Sequence, residues 1–247
     1  MSLRSFLVTM FPYAKTSYSI TRIEDIKRIL YSDRDKGTVY QGSQAAHYGF
    51  KKAAPYTGIY DRLAERIWKY LNNPSVETME SFDNWHADTC KEFCRDCNGH
   101  GILIEYGLAQ KFLNLALKYC YCFDDAYTAE SKDKFTFCHV ALDGYTFCPS
   151  TSSRNCAYYR RYCRMSRAGL ARPFYTEVVD PVADIKALPA WSKLSAAQYN
   201  KVQNDMRRYF SAAPITYATV LAHDAHHLAG CSGSTILTPF QSEFFLW

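Results

Sequence analysis

Residues 102–123 form the most apolar segment of the chain, and their spacing sets the fold class. Leu108, Phe112, Leu115, Ala116 and Tyr119 recur at the interval of one helix face, not at the alternation of a half-buried strand. The same period returns along the chain. Thr21 and Glu24 read as a capping box that opens a helix carrying Ile23, Ile26, Ile29 and Leu30 and ending near Ser32. Residues 34–52, with Gly37, Gly42 and Gly49, read as a loop. Leu63, Ile67, Trp68 and Leu71 share a face of a second helix over 59–71, which Asn72-Asn73-Pro74 stops. A third spans 82–97 and closes at Asn98-Gly99. Ser195 and Gln198 form another capping box, leading a helix through Phe210. Further helices are expected over 215–229, closed by Gly230, and from Thr238-Pro239 onward. Only the run Phe135 to Val140 alternates like a strand, which leaves room for one short hairpin. The expected class is therefore all-α: a compact, two-lobed helical domain covering 1–247, since no linker rich in Gly and Ser divides the chain.

Composition narrows the function classes. Apolar residues make up 48%, enough for a core and too many for a disordered chain. The net charge of +5 permits contact with nucleic acid without demanding it. No apolar run approaches the roughly 20 residues that span a bilayer, so no membrane partner is expected. The opening residues lack a small-residue cleavage site, and the expected location is cytoplasmic. The ten cysteines, several inside apolar helical patterns, are expected to be reduced thiols. Oligomeric state is not written in these features.

Two clusters invite a metal. Cys90, Cys94 and Cys97 have the spacing found in radical enzymes that hold an iron–sulfur cluster, although no repeating strand–helix pattern surrounds them here. With His86 and His100 they also offer five potential zinc ligands, of which His86, Cys90 and Cys94 would share a helix face. The competing reading is partly buried free thiols, and it is preferred. His223-Asp224 with His226 and His227 resembles part of a phosphohydrolase metal helix, but no later Asp follows to complete the ligand set. The expectation is no metal and no cofactor.

The run Gly107-Leu108-Ala109-Gln110-Lys111, continuing to Lys118, is the most informative in the chain. Lys111 and Lys118 lie about two turns apart and so share a face with Leu108 and Leu115. Lysine seldom occupies an inward face, and burial favours the neutral, nucleophilic form of an amine. Further on, His139-Val140-Ala141-Leu142-Asp143 places an acid after an apolar stretch. Together these residues resemble the helix-hairpin-helix DNA glycosylases, in which a glycine-containing turn precedes a catalytic lysine and an aspartate follows a connector. The long connector and the second lysine are most similar to the archaeal 8-oxoguanine DNA glycosylase branch. The likeness covers about residues 100–150, with the site segment over 102–147, and the hairpin turn is reduced here to Tyr106-Gly107.

The resemblance implies a helix-hairpin-helix glycosylase-like fold and double-stranded DNA as partner. It implies Lys111 as the amine that attacks the sugar and Asp143 as the carboxylate that assists it, with Gln110 and Lys118 beside the substrate. Arg160, Arg161 and Arg164, interleaved with Tyr158, Tyr159 and Tyr162, suit contact with phosphates and bases. The alternative is a non-catalytic helical protein that binds nucleic acid or another ligand, of the kind found in mobile elements and defence systems.

Overall fold

A computed structural model of the chain describes residues 20–31, 57–72, 78–123, 135–142, 189 and 191–212. Among the described residues the protein is all-helical, with five α-helices, one 3-10 turn and no strand. They are α1 (Ile23–Tyr31), α2 (Thr57–Asn72), α3 (Met79–Gly99), α4 (Tyr106–Phe123) and α5 (Ala196–Ala212), the last preceded by the 3-10 turn Trp191–Lys193. The chain divides into two units, one of Phe11–Cys138 and one of His139–Trp247 with Met1–Met10. No described helix is long and apolar enough to cross a membrane. The helices expected over 215–229 and from Thr238, and the loop expected over 34–52, lie outside the described residues.

In the first unit α1 packs on α2 and α4, and α3 packs on α2 and α4. Most of the predicted apolar faces are buried, but Ile23, Trp68 and Leu71 are only half-buried, and Tyr70 takes the inward place expected of Leu71. Ile26, Ile29 and Leu30 of α1 and Leu63, Ala64, Ile67 and Tyr70 of α2 are closed to solvent, as are Phe82, Cys90, Phe93 and Cys97 of α3. Phe112 sits where three helices meet, its ring 5.5 Å from Tyr60 and 5.2 Å from Phe93. A second aromatic group joins α2 to α3, with Tyr70 stacked on Trp85 at 4.2 Å and Phe82 edge-on to Tyr70. Outside this seam Arg62 pairs with Asp96 at 2.8 Å and Arg66 with Glu92, tying the same two helices together. Such exposed pairs contribute about 0–1 kcal/mol each, so the aromatic seam carries the packing.

Helix ends show where local chemistry overrides a reading by pattern. At α1 the capping carboxylate is Asp25, not Glu24, and the cap is one-sided: it accepts from the backbone N–H of Thr21 and Arg22 at 3.0 and 3.2 Å and from the Thr21 hydroxyl at 3.2 Å. Helix α3 begins three residues earlier than its apolar pattern suggests. Thr78 Oγ1 accepts from the Ser81 N–H at 3.1 Å, and Ser81 Oγ accepts from the Thr78 N–H at 3.2 Å. Serine here does the work usually given to Glu or Gln in a capping box. Thr78→Ala should lower stability by about 1 kcal/mol, read as a shift in the urea midpoint with unchanged slope.

At its other end α3 runs through Gly99, and Gly101 beyond it has a φ of 76°, the left-handed conformation that glycine tolerates. Ile102 N–H donates to Cys97 O and Gly101 N–H to Asn98 O, both at 3.0 Å, which is the paired bonding of a Schellman ending. The helix therefore closes at Asn98-Gly99 as expected, and the left-handed turn that follows it falls on Gly101. The next four residues are not helical, so α4 starts at Tyr106 and not at 102. Ile102 and Ile104 point inward while Leu103, between them, is 84% exposed. Asn98 Oδ1 accepts from Ile104 N–H at 3.0 Å and holds this short connector against the end of α3.

The tempting strand at 135–140 is not one. Residues 135–137 form a turn, closed by Cys138 N–H donating to Phe135 O at 3.0 Å, and 138–142 continue without regular structure. Alternating apolar residues arise here because both sides of an irregular segment are buried, and Cys138, Val140, Ala141 and Leu142 are all closed to solvent.

Candidate functional site

Every residue of α4 from Tyr106 to Tyr121 is buried, and that includes its polar ones. Gln110, Asn114 and Lys118 follow one another at four-residue intervals, so they stack along one face over successive turns. Lys111 is 4% exposed and Lys118 0%. The expectation that both lysines turn inward is met, and more fully than partial burial would have required.

The polar groups are linked in one direction. Gln110 Nε2 donates to the Gly107 carbonyl at 2.7 Å, and Asn114 Nδ2 donates to Gln110 Oε1 at 3.1 Å. Asn114 Oδ1 lies 2.9 Å from His86 Nε2, which reaches across from α3. The Gly107 carbonyl can only accept, and this sets every later donor and acceptor. Gln110 must present its oxygen to Asn114, Asn114 its oxygen to His86, and His86 must carry its proton on Nε2. In the neutral ring Nδ1 of His86 is then the acceptor, and Cys90 Sγ stands 3.8 Å from it, within reach of an S–H bond. A file of polar side chains thus crosses from α4 to α3 inside an otherwise apolar interface. Buried polar groups are tolerated when satisfied in this way.

Electrostatics keep the sulfur end of this file protonated. Burial pushes the Cys90 thiol well above its ordinary value, with Cys94 adding to the rise and Tyr106 opposing it. Burial likewise raises Cys94 to about 11, and raises Cys97 with help from Cys94 and Asp96. The Tyr106 phenol is raised by burial and by its neighbour Cys90. Thiolate, the form that ligates metals and attacks electrophiles, is disfavoured at all three sulfurs. Among the described residues no group of three or more His, Cys, Asp or Glu side chains is arranged to hold a metal ion. His86 and Cys90 do meet, but His100 is exposed and turns its Nδ1 to the Asp96 carbonyl at 2.8 Å. Cys90, Cys94, Cys97, Cys120 and Cys138 are free thiols.

Of the residues singled out in the sequence, Gln110, Lys111 and Lys118 lie together on α4. Asp143, Arg160, Arg161 and Arg164, and the histidines at 223–227, lie outside the described residues. Asn114 was not singled out, nor was the pairing of His86 with it. The signal was present in the spacing: a polar residue every fourth position, within the most apolar stretch of the chain, marks a buried polar file.

The second unit holds a separate arrangement. His139 Nδ1 is 2.9 Å from the Tyr199 hydroxyl, and one turn further along α5 Gln203 takes up the next residue. Gln203 Oε1 accepts from Val140 N–H at 3.2 Å, and its Nε2 donates to Val140 O at 2.7 Å. Tyr199, Val202, Gln203 and Met206 form the buried face of α5, whose start is capped as expected by Ser195 and Gln198.

Set against known proteins, the chain matches no family model, no curated protein and no solved structure.

Proposed function

We propose that the chain is a DNA N-glycosylase with an associated lyase step, in which Lys111 supplies the amine and Asp143 the carboxylate. The observation that supports this reading most is the near-complete burial of Lys111 on α4, with Lys118 two turns on and deeper still. A lysine withdrawn from water at such cost is uncommon without a chemical or ligand-binding role.

The chemistry balances without an external oxidant or reductant. The Lys111 amine attacks C1′ of an extruded nucleotide, the bond from C1′ to the base breaks, and the base leaves with a proton. Opening of the sugar ring gives a Schiff base between Nζ and C1′, and loss of a proton from C2′ then expels the 3′ phosphate. The Asp143 carboxylate offsets the positive charge that develops on the sugar. The nucleotide must leave the duplex to react, and the cover over Lys111 must open to admit it. Arg160, Arg161 and Arg164 are assigned to the DNA backbone, where salt would weaken their contribution. Gln110 directs its amide to Gly107 and Asn114, and Lys118 has no solvent-exposed surface, so both are assigned to supporting Lys111 from the helix interior.

Borohydride trapping tests the reading. Duplexes carrying 8-oxoguanine, alkylated or abasic sites should yield a covalent protein–DNA adduct, and Lys111→Gln should abolish it while circular dichroism and melting stay close to wild type. An adduct that survives in Lys111→Gln, or no adduct with any of these duplexes, removes the proposal. A second reading is favoured by the same burial: a non-catalytic helical binding protein whose lysines belong to its interior. Retention of duplex DNA without any adduct would select it.

A further inference from the structure

The outward face of α5 is marked as plainly as its buried one. Tyr199, Val202, Gln203 and Met206 turn inward. The exposed residues Ala197, Lys201, Asn204, Arg208 and Ser211 follow one another at spacings of four and three, which is a single stripe on the opposite side. Two cations, an amide and a hydroxyl make up this stripe, and none of its residues is a large apolar one. Such a face suits an anionic partner. It offers no anchor to the apolar centre of a protein interface or to the acyl region of a membrane.

The charges of α5 are also out of balance. Lys201, Arg207 and Arg208 stand against Asp205 alone, whereas α3 carries Lys91 and Arg95 against five carboxylates. Asp205 holds two of its cations in place: one carboxylate oxygen lies 2.9 Å from Lys201 Nζ, and the other meets the Arg208 guanidinium. The acid is 14% exposed, while Lys201 is 49% and Arg208 78% exposed. One covered carboxylate thus braces two open cations, which lowers the entropy cost of ordering them on a ligand. A guanidinium has several N–H groups, so Arg208 can serve Asp205 and a second acceptor together. Asn204 Oδ1 accepts from Arg207 at 3.4 Å, which leaves the Asn204 amide hydrogens to donate.

From this geometry we infer that the outward face of α5, through Lys201 and Arg208, is a contact surface for the phosphate backbone of double-stranded DNA. The two cations are seven residues apart, or about 10.5 Å along the helix axis. A DNA strand carries one phosphate per roughly 3.4 Å of its axis, so Lys201 and Arg208 meet separate phosphates. The inference takes its partner from the reading above but none of its chemistry, since backbone contact needs no reaction at the base.

The test is fluorescence anisotropy of an undamaged, labelled DNA duplex with the full-length chain over a range of salt concentrations. In the double variant Lys201→Gln/Arg208→Gln, Kd at about 0.1 M salt should rise at least about tenfold. The slope of log Kd against log salt should fall by about 1.8, at about 0.9 for each lost phosphate contact. Glutamine matches lysine and arginine as a helix former, so α5 should persist. The control is Lys91→Gln/Arg95→Gln in α3, which removes the same charge from two cations that are 61% and 73% exposed. There Kd and slope should stay close to wild type. If the α5 double variant does not fold, Lys201→Gln alone, which leaves Arg208 on Asp205, should still lower the slope by about 0.9. Wild-type Kd and slope in a folded α5 variant overturn the inference. An equal loss in the α5 and α3 variants overturns it as well, since net charge alone would then account for binding. So does a wild-type chain that retains no duplex, or one that holds duplex RNA of the same sequence more tightly. Borohydride trapping is read separately. Duplex bound through α5 without any adduct removes the glycosylase reading alone, and adduct formed by a chain whose binding ignores α5 removes this inference alone.

Discussion

Replacing Phe112 by alanine should destabilise the first unit by about 3–5 kcal/mol, the range for emptying a buried aromatic site. Phe112 is 1% exposed and touches rings from two other helices, Tyr60 at 5.5 Å and Phe93 at 5.2 Å. Its removal strips a contact from α2 and α3 together, and the void cannot close by moving one side chain. Domains of this kind have net stabilities of about 5–15 kcal/mol, so the loss is a large share of the total. Urea unfolding followed by tryptophan fluorescence checks it, since Trp85 belongs to the neighbouring aromatic group. Phe112→Leu, which keeps most of the apolar volume, should cost much less. Equal losses in the two variants would show that Phe112 is not a centre of packing.

Asn114→Leu should cost about 2–4 kcal/mol although it makes the helix more apolar, because a buried donor or acceptor left without its partner carries a penalty of about 1–3 kcal/mol. Leucine keeps the branched four-atom skeleton of asparagine, and its bulkier methyl groups add some overpacking to the loss of the hydrogen bonds. The substitution leaves His86 Nε2–H without the oxygen it faces at 2.9 Å, and Gln110 Oε1 without the amide that donates to it at 3.1 Å. The discriminating measurement is a double-mutant cycle. His86→Phe with Asn114→Leu removes both ends of the cross-helix bond, and the pair should cost less than the two single changes added together. Strict additivity, or an Asn114→Leu variant as stable as wild type, would mean that the file contributes nothing to the helix interface.

The helices were legible because their cause is local. Ile26, Ile29 and Leu30, or Leu63 and Ile67, mark a buried stripe by spacing alone, and the Ser195–Gln198 cap is a contact across three residues. Errors collected where the deciding group lies elsewhere or where two residues compete. Asp25 beat Glu24 to the same N–H groups, and Ser81 closed a box that the usual residue pattern overlooks. The end of α3 at Gly99 was read correctly, but which glycine turns left-handed is decided by the bonds to Cys97 and Asn98, and they select Gly101. Residues 135–140 imitate a strand because full burial of an irregular segment also yields apolar residues in alternation. At the site, helical spacing placed Lys111 and Lys118 inward, whereas the partner of Asn114 lies on another helix and that of Val140 far along the chain. Period and propensity carry no information about such distant partners.

The shielded thiols of α3 give the protein a gauge of its own breathing. Cys90 and Cys97 are closed to water and held protonated, whereas Cys94, on the same helix, is partly open. An alkylating reagent therefore reaches the first two only when the helix parts from its neighbours, and the third sets the baseline. The ratio of the labelling rates reports how often the bundle opens, with no probe engineered into the chain.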